Sequence, residues 1–184
     1  MERYGAGAIV VTDYDPVWPA MFAQERAQLA AALGPLAVTI EHVGSTAVPG
    51  LAAKPIIDLL IGARTLVDAR ARGIAALQAL GYTYMPEYQP FLPDELFFRK
   101  GVGGPWTHHV HIMEPTNPRW ERWLLFRDYL RAHPETAAAY ANLKRSLAAK
   151  FGEDIAAYRD AKHQFVERVT EKARAKPGQA GRAI

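Results

Sequence analysis

Chemistry-bearing residues gather in two places along this chain. The first is Gly44-Ser45-Thr46, followed by Lys54 and then by Asp58 in the middle of an aliphatic run. The second is the pair His109 and His111, two residues apart. A Gly-Ser turn offers backbone N–H groups and a hydroxyl, the groups that cradle a phosphate. Gly permits a close backbone approach, and Lys54 adds an ammonium in the same loop. Pro55 is expected to keep Lys54 extended. A carboxylate in an aliphatic run costs roughly 2–7 kcal/mol or more unless compensated. Asp58 is therefore expected to be hydrogen-bonded into the structure or used, as a metal ligand or a general base. His109 and His111 leave the same face of a strand, and His108 leaves the other. Imidazoles ligate metals and move protons near neutral pH. With Asp58 they would form a set able to hold one Zn²⁺, Mn²⁺ or Fe²⁺. The competing reading is two histidines hydrogen-bonded to an anion or to neighbouring backbone.

The elements that must position these groups are legible from patterning. Leu36–Val43 reads as a strand rich in β-branched residues, and Pro55–Ile61 as a strand buried on both faces. Ile9–Thr12 is a short first strand by the same reasoning. Pro16 to Leu33 carries Phe22, Leu29 and Leu33 near helical spacing, stopped by Gly34 and Pro35. Leu66–Leu80 predicts an amphipathic helix ending at Gly81. Tyr82–Met85, Leu96–Lys100 and His108–Met113 read as strands, the last two joined by the turn-rich segment Gly101 to Pro105. Asn117-Pro118 is a helix start, and the chain reads as helical from there almost to Ala175, broken near His133-Pro134 and Gly152. Lys176 to Ile184 is expected to be a flexible tail. The order is mixed α/β followed by helices, without an internal repeat.

The helical third carries Arg127, Tyr140, Lys144 and Lys162. Tyr140 and Lys144 share a helix face, being four residues apart. Lys144 and Arg127 are placed to close the open side of the sheet over an anionic ligand. Solvated helix faces carry such residues too. Trp18, Trp106, Trp120 and Trp123 are scattered and no basic stripe interleaves them, so they read as core or rim aromatics.

A Gly-Ser turn after a strand, followed by a strand with Asp-hydrophobic-Asp/Glu, resembles the signature of nucleotidyltransferases of the DNA polymerase β-like fold. Gly44-Ser45 and Asp58 match it, but Leu60 stands at the second acidic position. A longer resemblance, over residues 10 to 170, is to the GrpB family. It runs through Tyr14-Asp15-Pro16-Val17-Trp18-Pro19 with Phe22 and Glu25, and then from Ile40 to Asp58. It continues at His108-His109-Val110-His111, Phe126 to Leu130, His133-Pro134, Tyr140 and Leu143-Lys144. The resemblance implies an α/β (α+β) nucleotidyltransferase-like mixed sheet flanked by helices, with a C-terminal helical bundle. It implies one domain over residues 1–175, helical from about residue 117. It also implies Mg²⁺ or Mn²⁺ ahead of Zn²⁺, held by Asp58 with His109 and His111. Two cations about 3.5–4 Å apart need more than one carboxylate. Glu41, Glu87, Glu114 or the histidines would have to supply the missing charge.

Composition narrows the rest. With 184 residues the chain can bury a substantial core. It has no cysteine, which excludes disulfides and thiolate metal sites. No apolar run reaches the ~20 residues of a membrane helix, and no signal peptide is apparent, so a cytoplasmic protein without a membrane partner is the expectation. A net charge of +3 does not by itself point to nucleic acid. The expected partner is an anionic, nucleotide-like small molecule, and the sequence carries no oligomeric signal. Three functions remain open. The first is a nucleotidyltransferase-like enzyme acting on a nucleotide or phosphorylated small molecule, with catalytic Asp58, His109 and His111. Gly44, Ser45, Thr46, Lys54, Arg127, Tyr140 and Lys144 would hold its ligand. The second is a non-catalytic module binding a nucleotide or coenzyme A-related ligand, since some family members are fused to a dephospho-CoA kinase domain. The third is a single-metal hydrolase using His109, His111 and Asp58.

Overall fold

The computed structural model describes residues 9–101 and 105–175. Five strands form one mixed sheet: β1 (Ala37–Val43), β2 (Ile57–Ala63), β3 (Tyr82–Tyr84), β4 (Leu96–Lys100) and β5 (His108–Met113), in the order β1-β2-β5-β4-β3. β2 and β5 are parallel at the centre, and the other neighbours pair antiparallel. In the central pair Asp58 stands beside His109 and Leu60 beside His111. The strand alternation therefore places Asp58, Leu60, His109 and His111 on one face.

The opposite face carries Ile57, Leu59, Ile61, Val110, Ile112 and Phe98, nearly all without exposed surface. It is covered by α1 (Trp18–Leu33), whose buried positions Trp18, Glu25, Leu29 and Leu33 recur at helical spacing. Gly34, at φ 51°, ends that helix and returns its N–H to Ala30. The second cover is α2 (Leu66–Asp68), a π-helical stretch Ala69–Gly73 and α3 (Ile74–Ala79). The sequence pattern predicts one uninterrupted helix there. Instead the small residues Ala69 and Gly73 line the packed side, and a Cβ on Gly73 would come 3.6 Å from Leu33. Ile9–Thr12 forms no strand and contributes only an isolated bridge from Thr12 to Ala53.

The site face is roofed by the helical third: α4 (Pro118–Ala132), α5 (Pro134–Phe151) and α6 (Ile155–Ala175), with breaks where His133-Pro134 and Gly152 predict them. Asn117 caps α4 through its side chain, which accepts from the Arg119 N–H at 2.9 Å. Trp120 of α4 packs with Val43, Leu60 and Met113. The loop after β1 is wedged between the helices, its Val48, Leu51 and Ala52 packing with Phe126, Leu130, Tyr140 and Val169. The fold is thus the mixed α/β arrangement the sequence implies. The tail from Lys176 and the Val102–Gly104 part of the predicted turn lie outside the described residues.

Candidate functional site

The turn after β1 begins at Gly44, where φ is 71°, a conformation that favours glycine. A Cβ there would sit 2.2 Å from Asp58 Oδ2, so only glycine lets the turn close over the carboxylate. Ser45–Ala47 then forms a short 3₁₀ turn. Lys54 is half-buried, and Ile56 N–H donates to its carbonyl at 2.8 Å, folding the chain tightly around Pro55.

Asp58 Oδ1 lies 3.2 Å from His109 Nδ1. An ionised carboxylate only accepts, so Nδ1 carries the proton and Nε2 is the lone-pair nitrogen. That Nε2 is buried and has no hydrogen-bond partner among the described residues. The side chains of Asp58 and His109 stay 22% and 19% exposed, enough for a ligand to reach the pair. Burial pushes the His109 imidazole below its ordinary range despite the pull of Asp58, so it is neutral at pH 7. Burial works to raise the Asp58 carboxyl, and the His109 hydrogen bond with the neighbouring imidazoles outweighs it, leaving the group ionised.

His111 has a different anchor. Its Nδ1 is 2.5 Å from Glu95 Oε1, its ring stacks on Phe97 at 4.8 Å, and Trp123 packs at 5.1 Å. Glu95 is buried and also pairs with Arg119 at 3.3 Å. Burial opposes its ionisation, but His111 and Arg119 hold it below the usual carboxylate range. The sequence reading missed Glu95. Its one signal was an acidic residue directly preceding an apolar strand, Leu96-Phe97-Phe98. Of the carboxylates the sequence offers for a second charge, Glu41 accepts from Arg127 at 2.9 Å and Glu114 from the Leu66 N–H at 2.9 Å, while Glu87 is exposed. None of them partners Asp58.

The helical third brings its cations inward to different ends. Lys144 is buried, donates to Ser45 Oγ at 2.9 Å and to the Ala52 carbonyl, and sits 4.6 Å from the Tyr140 ring. Burial and the charges of Lys162 and Arg145 lower it to about 7. Tyr140 is buried against Phe126 and Phe165, and burial raises its phenol. Arg127 is spent on structure: it donates to Asp128, to Glu41 and to the His42 carbonyl, tying α4 to β1. Thr46 is engaged within the fold, meeting His42 Nε2 at 3.0 Å and donating to the Ile56 carbonyl. Burial also lowers Lys54, with Asp58 opposing and Arg99 adding to the shift. Lys162 on α6 completes the group, its Nζ 4.2 Å from the Tyr158 ring.

The donor set does not fit the paired-cation arrangement that the resemblance implies. Leu60, where a second carboxylate would stand, has no exposed surface and is packed against Val43, Met113 and Trp120. Among the described residues no three His, Cys, Asp or Glu side chains converge as one cation requires. Asp58, His109 and His111 therefore share a strand face without forming a ligand cage. What this face holds instead is two carboxylate–imidazole pairs and a set of ammonium groups. No described helix is long and apolar enough to cross a membrane.

The chain is 42% identical over 161 residues to the UPF0157 protein YqkA of Bacillus subtilis, covering 88% of this chain and 46% of that protein. It is 34% identical over 166 residues to a dephospho-CoA kinase of Mycolicibacterium paratuberculosis, covering 78% of this chain and 40% of that protein. It thus spans less than half the length of each of these relatives. Among solved structures, the conserved protein GrpB from Enterococcus faecalis superposes with a TM-score of 0.81 at 36% identity, covering 89% of this chain and 96% of that one. Terminal uridylyl transferase 4 from Trypanosoma brucei with bound CTP superposes with a TM-score of 0.51 at 15% identity, covering 89% and 52%. That second likeness shows the nucleotidyltransferase-like fold alone. With the GrpB family model matching residues 8–172, the chain belongs to the GrpB family.

Proposed function

We propose that the groove beside Asp58 binds a nucleotide or another phosphorylated small molecule and that His109 moves a proton there. The observation that carries this reading is the Asp58–His109 pair, with Nδ1 fixed on the carboxylate and a buried, unpartnered Nε2. It lies against a glycine turn backed by Lys144 on Ser45. Backbone N–H groups of the turn and the Lys54 ammonium take phosphate oxygens. His109 Nε2 accepts the proton of an attacking hydroxyl as its oxygen bonds to phosphorus and the bond to the leaving phosphate breaks. Asp58 stabilises the imidazolium so formed. The fold shared with a uridylyl transferase that holds CTP supports a nucleotide as the ligand class.

Leu60, sealed in the core, favours a second reading: a module that binds the same ligand class without turning it over. The likeness to a dephospho-CoA kinase makes coenzyme A-related ligands part of the comparison. One experiment separates the two. Thermal unfolding is followed against ATP, GTP, CTP, UTP, coenzyme A and dephospho-coenzyme A, and phosphate or pyrophosphate release is measured with each binder. A ligand at 100 times its Kd adds about 2.7 kcal/mol, a shift of roughly 5–11 °C at this size. Turnover lost in His109→Gln with binding retained supports the transferase. Binding without turnover supports the module, and no shift with any ligand rejects both.

A further inference from the structure

Lys162 makes no hydrogen bond or ion pair with any described residue; its ammonium lies 4.2 Å from the Tyr158 ring centre. Lys54, in the loop leading into β2, likewise has no ion pair or hydrogen bond from its ammonium. Both lysines are half-buried, and an ammonium partly withdrawn from water without an anion costs stability unless something fills its donors. The carboxylate both ammoniums feel is Asp58, and Lys162 also feels Lys54 as a like charge. Asp58 is already committed to His109. On this face positive charge exceeds negative charge, the reverse of a cation site.

Resting on the reading of the groove as a phosphate site, we infer that it takes its ligand without a divalent cation. The ammonium groups of Lys162 and Lys54, both in the field of Asp58, would supply the positive charge that metal ions supply in phosphoryl-transfer sites. The ligand class this selects is a nucleoside di- or triphosphate, or pyrophosphate, as the free polyanion. Leu60 fits the same design, because a second carboxylate would cancel the field the lysines supply. Burial and the Lys54 charge lower Lys162 to about 8, the mark of an ammonium short of counter-charge.

The test is titration calorimetry of the full chain with ATP and with pyrophosphate, in EDTA and in Mg²⁺, for wild type and Lys162→Met. The expected result is ATP binding in EDTA at least as tight as in Mg²⁺, weakened about tenfold or more in Lys162→Met. The unliganded Lys162→Met protein should melt no lower than wild type, because an unpaired buried charge has been removed. A merely structural lysine would give a lower melting temperature and unchanged affinity, which would overturn the inference. Binding that requires Mg²⁺ would also overturn it and leave the phosphate site standing. Failure of both probes to bind in either condition would reject the phosphate site itself. Should Lys162→Met not fold, Lys54→Met gives the same comparison from the half-buried loop leading into β2, with the same tenfold loss expected and unchanged affinity overturning the inference.

Discussion

The two faces of the central sheet bury charge in opposite ways. Against α1, Glu25 is buried but receives the Tyr82 hydroxyl at 2.9 Å and the Lys100 ammonium at 2.8 Å. His42 on the same side stacks on Phe22 and meets Thr46. Every charge there is closed by a partner from the chain. Under the C-terminal helices, His109 Nε2 and the Lys54 and Lys162 ammoniums have no such closure among the described residues. Both faces are buried enough for an open donor or acceptor to cost stability. That difference between the faces is the asymmetry on which the proposed ligand site rests.

The strongest way to break this contrast is Leu60→Asp, which restores a paired carboxylate on the site face. Leu60 fills a sealed cluster, so the variant loses its packing and buries an unpaired charge. The expected cost is roughly 5 kcal/mol, read from urea unfolding. A folded Leu60→Asp protein stabilised by Mg²⁺ would show that the face can be turned into a cation site, and the contrast would need redrawing. Next in size is Gly44→Ala. The added Cβ meets Asp58 Oδ2 in a left-handed conformation, so roughly 3–4 kcal/mol should be lost. The His109 imidazole nitrogens should shift with it in NMR. Unshifted nitrogens would mean the turn does not hold the pair.

Closing a charge and opening one should have opposite signs when undone. Glu25→Ala strands the Lys100 ammonium and the Tyr82 hydroxyl, and about 2–3 kcal/mol should be lost. Lys162→Met on the other face should cost nothing. If both variants destabilise alike, Lys162 is a structural group and the asymmetry is lost.

How far this division was legible in the sequence differs by level. β4 and β5 fall where alternation places them, and the helix breaks lie at Pro134 and Gly152, because period and punctuation are local signals. The π-helical stretch at Ala69–Gly73 was not legible, since the apolar period there is that of an ordinary helix. The facing of Asp58 and His109 follows from a parallel register between segments 51 residues apart, which only the family resemblance suggests. Glu95 was missed, and the ties of Arg127 to β1 were not legible, for one reason: a charged residue's partner is chosen by tertiary packing, and spacing along the chain does not carry it.

The smallest expected effect probes the closed face by acid. Thr46 donates its hydroxyl proton to the Ile56 carbonyl, so it accepts from His42, whose neutral form carries the proton on Nε2. Burial, reinforced by Arg131 and Arg127 and opposed by Asp58, lowers His42 from 6.5 to about 4. Between those values the unfolded chain binds a proton that the folded chain refuses, so stability falls as pH falls through this window. From pH 7 to pH 5 the His42 share is about 2 kcal/mol. His108 and His109, lowered by burial, add with the same sign. Asp58 and Glu95 lie below the usual carboxylate range and enter only at lower pH. His42→Gln keeps a donor for Thr46 without a titrating nitrogen, so it should flatten the acid limb by that share while leaving nucleotide affinity at pH 7 unchanged. An equally steep limb would assign the acid sensitivity to His108 and His109 and leave His42 silent in this range.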